Sequence, residues 1–184
     1  MMRKGGFTLL ELLITFAIIA IMASIAVPGY SGWLPRYRLK SAATDLVSNM
    51  QLARMGSIKD RSDWAIVFDT GSNSYRICSD DGGDGDWQDG DESVEKTVSL
   101  TGYKSAIGYG HGNATQNATI AGGGLPGDDV DYSSNVVVFN CRGTATGGYV
   151  YLDNFKDNIT YAVGTRISGV VRLVKWNNSN STWE

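Results

Sequence analysis

Residues 1–30 read MMRKGGFTLLELLITFAIIAIMASIAVPGY. From Phe7 to Val27 the chain is apolar apart from one carboxylate, Glu11, which sits near the start of the run. As a helix, 21 residues rise about 31 Å, close to the roughly 30 Å hydrocarbon core of a bilayer. Arg3 and Lys4 form a short basic tip ahead of it. Three readings compete. A secretory signal would be cut after the small residues Ser24-Ile25-Ala26, but this run exceeds the usual 7–15 residue signal core. A plain membrane anchor leaves Glu11 unexplained, because an ionised carboxylate deep in lipid costs about 2.5–3.5 kcal/mol and usually has a partner. The third reading is a helix that leaves the bilayer and packs against its own kind. No Lys, Arg or His between Phe7 and Val27 can pair with Glu11. A new amino terminus, created by a cut after Gly6, would supply the missing positive charge.

Beyond this run, Pro28 and Gly29 are expected to kink the helix, and Pro35 to open its second half. Leu39, Ala43, Leu46, Met50 and Ala53 then recur at spacings of three and four, with Val47 beside them. They make the apolar stripe of an amphipathic helix that packs against a sheet. Gly56 is the expected stop signal. The helix is therefore expected from Phe7 to about Met55.

After Lys59 the pattern changes to short apolar or alternating runs bounded by Gly, Asn and Asp. Expected strands are 64–69, 74–79, 94–101, 118–120, 135–140, 149–152, 159–163 and 169–176. With no helices between them, they are expected to pair antiparallel. The fold class is α+β: a long N-terminal helix, part membrane span and part amphipathic, on the antiparallel β-sheets of a globular head. The expected division is a leader at 1–6, the long helix at 7–58 with its span at 7–27, and the β-rich head at 59–184.

Composition narrows the function classes. The 184 residues carry a net charge of −3, which gives no general electrostatic case for nucleic acid. Two cysteines and one histidine, His111, cannot build a four-ligand zinc site. His111 lies in a glycine-rich stretch without a nucleophile motif and reads as a loop residue, so an enzyme is not expected. Cys78 and Cys141 are expected to form a disulfide in an exported head. The stretch 79–96, SDDGGDGDWQDGDESVEK, packs eight acids into 16 residues. Such oxygen ligands suit Ca²⁺, with Asp84, Asp86 and Glu95 at positions 1, 3 and 12 of a loop otherwise unlike an EF-hand. The alternative is a solvated acidic turn, and no other cofactor is expected.

Lys4-Gly5-Gly6-Phe7-Thr8-Leu9-Leu10-Glu11-Leu12 closely resembles the processing signal of type IV pilins and pseudopilins. The segments RLKSAATDLVSNMQLARMGSIKDRSDWAIVFD, VVFNCRGTATGGYVYL and SGVVRLVKW resemble the GspH/FimT family of minor pilins and pseudopilins. The resemblance implies cleavage between Gly6 and Phe7 by a prepilin peptidase that also methylates Phe7. It implies single-pass insertion in the bacterial inner membrane with the head in the periplasm. Passage through an inner-membrane assembly platform into a type IV pilus or type II secretion filament would follow. The partners are then other pilin or pseudopilin subunits, with Glu11 meeting the Phe7 ammonium of a neighbour. The subunit is expected to prime assembly or sit at the tip, and the runner-up is a major subunit. Some FimT-like proteins bind DNA through Gly-Arg-x-Arg. Here Gly169-Val170-Val171-Arg172 keeps one of those arginines, with Arg166 and Lys175 nearby. DNA is the disfavoured alternative partner.

Overall fold

The computed structural model describes residues 6–118, 124–125, 127–156 and 159–184, and only the backbone at 27–29 and 31. Residues up to Pro35 and residues from Arg36 onward form two compact units.

In the first unit, the helix α1 (Leu9–Asp60) begins. Its stretch Leu9–Ala26 has a mean hydropathy of 2.5, and none of it is buried. The turns are closed by ordinary helix bonds, with Thr15 and Ser24 hydroxyls donating back to the Leu12 and Ile21 carbonyls. That satisfies polar groups inside an apolar stretch. Both Pro28 and Pro35 lie within α1 rather than at its ends, so neither opens or closes a helix here. The Pro28 side chain, where the kink is expected, lies outside the described residues.

In the second unit, α1 presents Leu39, Ala42, Ala43, Leu46, Met50 and Ala53 to the core, all buried. This is the expected stripe with Ala42 added. The helix continues past Gly56 to Asp60. Gly56 is not a stop but a notch: a Cβ there would lie 2.6 Å from the Trp64 ring. The turn is made instead at Arg61, whose φ of 56° is left-handed.

The strands are β1 (Trp64–Asp69), β2 (Ser74–Cys78), β3 (Val94–Ser99), β4 (Gly108–Tyr109), β5 (Val136–Phe139), β6 (Gly148–Asp153), β7 (Thr160–Thr165), β8 (Val171–Asn177) and β9 (Thr182–Trp183). They form two sheets, β3-β2-β1-β5 and β4-β6-β7-β8-β9, and every pairing is antiparallel. Seven match expected strands to within one or two residues. The short β4 and β9 were not expected, because two-residue strands carry no periodicity to read. The expected strand at 118–120 falls mostly outside the described residues.

Alternation assigns the faces. Ile66 and Phe68 of β1, Tyr75 and Ile77 of β2, and Val137 and Phe139 of β5 point into the core with the α1 stripe. Val150, Leu152 and Val163 of the second sheet join them. Phe68 stacks on Tyr132 at 5.8 Å between centroids and meets Tyr109 edge-on at 6.3 Å. Polar ties fix the helix on the sheets. Asn49 donates to the Tyr75 hydroxyl at 2.7 Å, Ser57 to the Asn140 carbonyl at 3.0 Å, and Arg54 Nε to the Gly143 carbonyl at 2.9 Å.

The notch at Gly56 generates a test. Alanine is the better helix former by about 1 kcal/mol, but overpacking against the Trp64 ring costs about 1–3 kcal/mol. Gly56→Ala should therefore lower the urea midpoint of the full-length protein in detergent micelles. A midpoint that rises would mean the ring moves aside without penalty.

Candidate functional site

The N-terminal site is built on the helix start. Gly6, Phe7 and Thr8 are exposed and non-helical, and α1 begins at Leu9. The Gly6–Phe7 bond is therefore accessible and outside the helix, where its amide is not tied into helix hydrogen bonds. Thr8 and Glu11 form a reciprocal cap. The Glu11 N–H donates to Thr8 Oγ1 at 3.2 Å, and the Thr8 N–H donates to Glu11 Oε2 at 3.4 Å. This is the S/T-x-x-E capping box, in which side chains satisfy the helix's first unpaired N–H groups. The reading of Glu11 as an assembly carboxylate overlooked this second task. The threonine three residues before it was the available signal. In this cap it is Oε2 that takes the Thr8 N–H.

In the head, the segment 79–93 forms a loop closed by backbone bonds from Ser79 N–H to the Ser93 carbonyl (2.9 Å) and from Ser93 N–H to the Asp80 carbonyl (3.1 Å). Its anchor is Trp87, buried on the outer face of the first sheet with Ala65, Val67, Cys78 and Val136. Glu92 is the second anchor, its side chain 1% exposed. Glu92 Oε1 lies 2.7 Å from Arg76 Nη2, an ion-pair contact rather than an aligned hydrogen bond. Oε2 accepts from the Gly90 N–H at 2.8 Å. Asp81, Asp84, Asp86 and Asp89 each accept a backbone N–H two residues on, the turn geometry that Asp favours.

The expected metal ligands are not brought together as a set. Asp84 is grouped with Asp89 and Asp91 instead, all exposed. Glu95 accepts a hydrogen bond from Ser79 Oγ at 2.7 Å, and Asp86 caps Gln88. The linear spacing misled because the loop doubles back, which places 89 and 91 beside 84. Asp91 is pushed up to about 6, first by its hydrogen bond with Asp89 and then by desolvation and nearby negative charges; the same bond pulls Asp89 down. The group therefore answers its own repulsion by holding a proton in mild acid.

The cysteines are not bonded to each other, which corrects the disulfide expectation. Cys78 pairs with Ala65 on β1, and Ala65 pairs with Val138 on β5. The strand β1 thus lies between them, a separation of about 10 Å across two strand spacings. Cys141 lies three residues further on, past the end of β5. A disulfide needs its Cα atoms within about 7 Å. Cys78 is buried, and that burial pushes its thiol up to about 11, whereas Cys141 is exposed.

The three basic residues also separate. Arg172 faces outward on β8, opposite Gly164, and shares a shallow groove with Arg166 and Tyr149. Lys175 is three residues on and opposite Tyr161, so it points to the other face of the sheet. His111 is held by Asp129 at Nδ1, and its carbonyl accepts the Thr160 hydroxyl at 2.9 Å. It fastens the segment after β4 against β7. Beside it, Asp153 is buried, and desolvation raises its carboxyl above the ordinary range despite a hydrogen bond from the Phe155 N–H.

Two tests follow from these positions. In the native protein a maleimide should label Cys141 at once and Cys78 only on unfolding; mass spectrometry would count the adducts. One blocked pair of sulfurs in protein folded in the periplasm would contradict the separation. For Asp153, the folded state holds its proton more tightly than the unfolded chain, so stability falls as pH rises from the ordinary carboxylate range through the raised value. Asp153→Asn should flatten that dependence above the ordinary carboxylate pKa, read as the urea midpoint against pH.

Comparison with known proteins now bears on these features. Residues 1–27 match the prokaryotic N-terminal methylation motif, and residues 42–170 match the family described as Type II transport protein GspH. A fimbrial protein of Moraxella nonliquefaciens is 46% identical over 44 residues, a stretch that is 24% of this chain and 29% of that protein. The minor pseudopilin EpsH from the Type 2 Secretion System of Vibrio cholerae superposes with a TM-score of 0.47 at 14% identity, covering 74% of this chain and 95% of that one. That likeness is too loose to carry weight. The match over residues 42–170 spans most of the chain and starts within the sheet-packing half of α1, so this protein belongs to the GspH family and carries that family's domain behind an N-terminal methylation motif.

Proposed function

We propose that this chain is a minor structural subunit of a filament of the type IV pilus or type II secretion kind. It enters the bacterial inner membrane through the exposed apolar stretch Leu9–Ala26, with the head on the periplasmic side. A prepilin peptidase cuts between Gly6 and Phe7 and methylates the new amine. An assembly platform then draws the helix out of lipid to join other pilin or pseudopilin subunits, and this subunit primes assembly or sits at the tip. The observation that carries the reading is the pairing of a GspH domain with a methylation motif whose helix is apolar and wholly unburied. Families of this kind are filament subunits rather than enzymes.

The physical step is the exchange of environments. In lipid, the capping box keeps Glu11 occupied by its own backbone. In a filament core, the Glu11 carboxylate meets the Phe7 ammonium of a neighbour. A charge pair in an apolar interior gives little net stability but penalises every misregistered arrangement, so it sets the axial step between subunits. DNA capture is not part of the proposal, because Lys175 stands on the opposite face from Arg172.

Mass spectrometry of sheared surface filaments tests the reading: the protein should be present, in low amount, and should begin at methylated Phe7. Glu11→Gln should leave membrane insertion intact, since the amide still accepts the Thr8 N–H, and should lower incorporation into filaments at least several-fold. A native chain that begins at Met1, or after Ala26, would overturn the proposal.

A further inference from the structure

Between Glu11 and Asp45 the chain contains no acidic residue, yet Arg36, Arg38 and Lys40 crowd together late in that interval. They open the second unit, soon after the apolar stretch ends at Ala26. Ahead of them, in the first unit, Tyr30 and Trp33 are exposed, with ring centroids 6.4 Å apart. Aromatic residues of this kind gather where a membrane gives way to water. The chain therefore leaves hydrocarbon just before Arg36.

In the second unit the basic residues surround α1 rather than share one face of it. At about 100° per residue, Arg36 and Lys40 lie one turn apart on one side, and Arg38 lies on the opposite side. Arg36, Lys40 and the adjoining Tyr37 are exposed. Arg38 Nη1 donates to the Ser105 hydroxyl at 2.9 Å, and this bond joins the helix to the loop 104–106. Lys104, Ser105 and Ala106 have left-handed φ values of 63°, 62° and 53°, which non-glycine residues adopt only where the surroundings hold them. The loop thereby brings the exposed Lys104 to the Arg38 side of the helix. Among the described residues, none of these four cations forms an ion pair. The next acid along α1, Asp45, already accepts the Tyr103 hydroxyl at 2.7 Å.

Unneutralised cations ringing one short stretch of helix favour an anion-rich partner. Basic residues beside a membrane span ordinarily mark its cytoplasmic side. In the reading above these four stand on the opposite side, with the head, so topology does not account for them. We propose that Arg36, Arg38, Lys40 and Lys104 form a collar that binds the phosphate headgroups of anionic phospholipid in the leaflet facing the head. The inference deepens the membrane stage of the filament reading and rests on it. Arginine grips phosphate through paired N–H groups, and lysine attracts it as a point charge. Each cation near an anionic surface strengthens the attraction about fivefold. The collar sets the depth at which the head rides on the membrane, and withdrawal of the helix into a filament has to break it.

The test uses the full-length protein in vesicles of phosphatidylcholine and phosphatidylglycerol in equal amounts, with photoreactive benzoylphenylalanine in place of Tyr37. Irradiation should join the protein to phosphatidylglycerol several-fold more often than to phosphatidylcholine, read by mass spectrometry of the adducts. The preference should vanish at about 0.5 M salt, where exposed charges are screened. Arg36→Gln with Lys40→Gln changes only exposed side chains and should reduce it several-fold; adding Lys104→Gln should abolish it. Equal labelling of the two lipids at low salt, a preference indifferent to these substitutions, or no lipid adduct overturns the collar. So does a probe that, in intact cells, joins only to protein, which would make the same residues a contact for the assembly machinery. Sheared filaments separate the two ideas. A processed chain in filaments, without the lipid preference in vesicles, sinks the collar alone, whereas absence from filaments sinks the filament reading.

Discussion

The head depends on how closely its sheets approach α1. Four small residues, Ala42, Ala43, Ala53 and Gly56, lie on the face that meets the strands. They let larger side chains from the sheets fill the space: Tyr75 and Phe139 are fully buried, and the Trp64 ring rests in the notch at Gly56. Because close packing leaves little room to adjust, this arrangement fixes the position of β1. Only the turn at Arg61 separates the helix from that strand. The partners of β1 on both sides, β2 and β5, then fall into register.

A consequence is that β1 is buried on both faces, which an antiparallel sheet at a surface does not ordinarily require. The acidic loop meets that need. It is rich in charge, yet its task on the sheet is apolar: Trp87 covers Ala65, Val67 and Val136. Its carboxylates are turned to solvent or to their own backbone N–H groups. The one acid that goes inside, Glu92, takes Arg76 with it. A buried indole and an ion pair thereby hold a strongly acidic loop on the sheet.

The same helix serves a different solvent before Pro35. There the apolar residues face outward on every side and polar groups are satisfied locally, by the Thr8–Glu11 cap at the start and by hydroxyls folded back onto carbonyls. A helix so built is at ease in lipid or among other helices of its kind.

The sequence alone determined the helix, its apolar run and stripe, seven of the strands, the antiparallel class, and the N-terminal methylation motif. Each of these is written in local periodicity or in contiguous motif, where neighbours in sequence are neighbours in space. Tertiary structure decided what depends on residues far apart in the chain. Trp64 turned Gly56 from a stop into a notch. An intervening β1 kept Cys78 from Cys141, and the folding back of one loop put Asp89 and Asp91, not Glu95, beside Asp84. The pleat sent Arg172 and Lys175 to opposite faces. Spacing along a chain reports direction and distance only within one element, and each of these outcomes was settled by how separate elements meet.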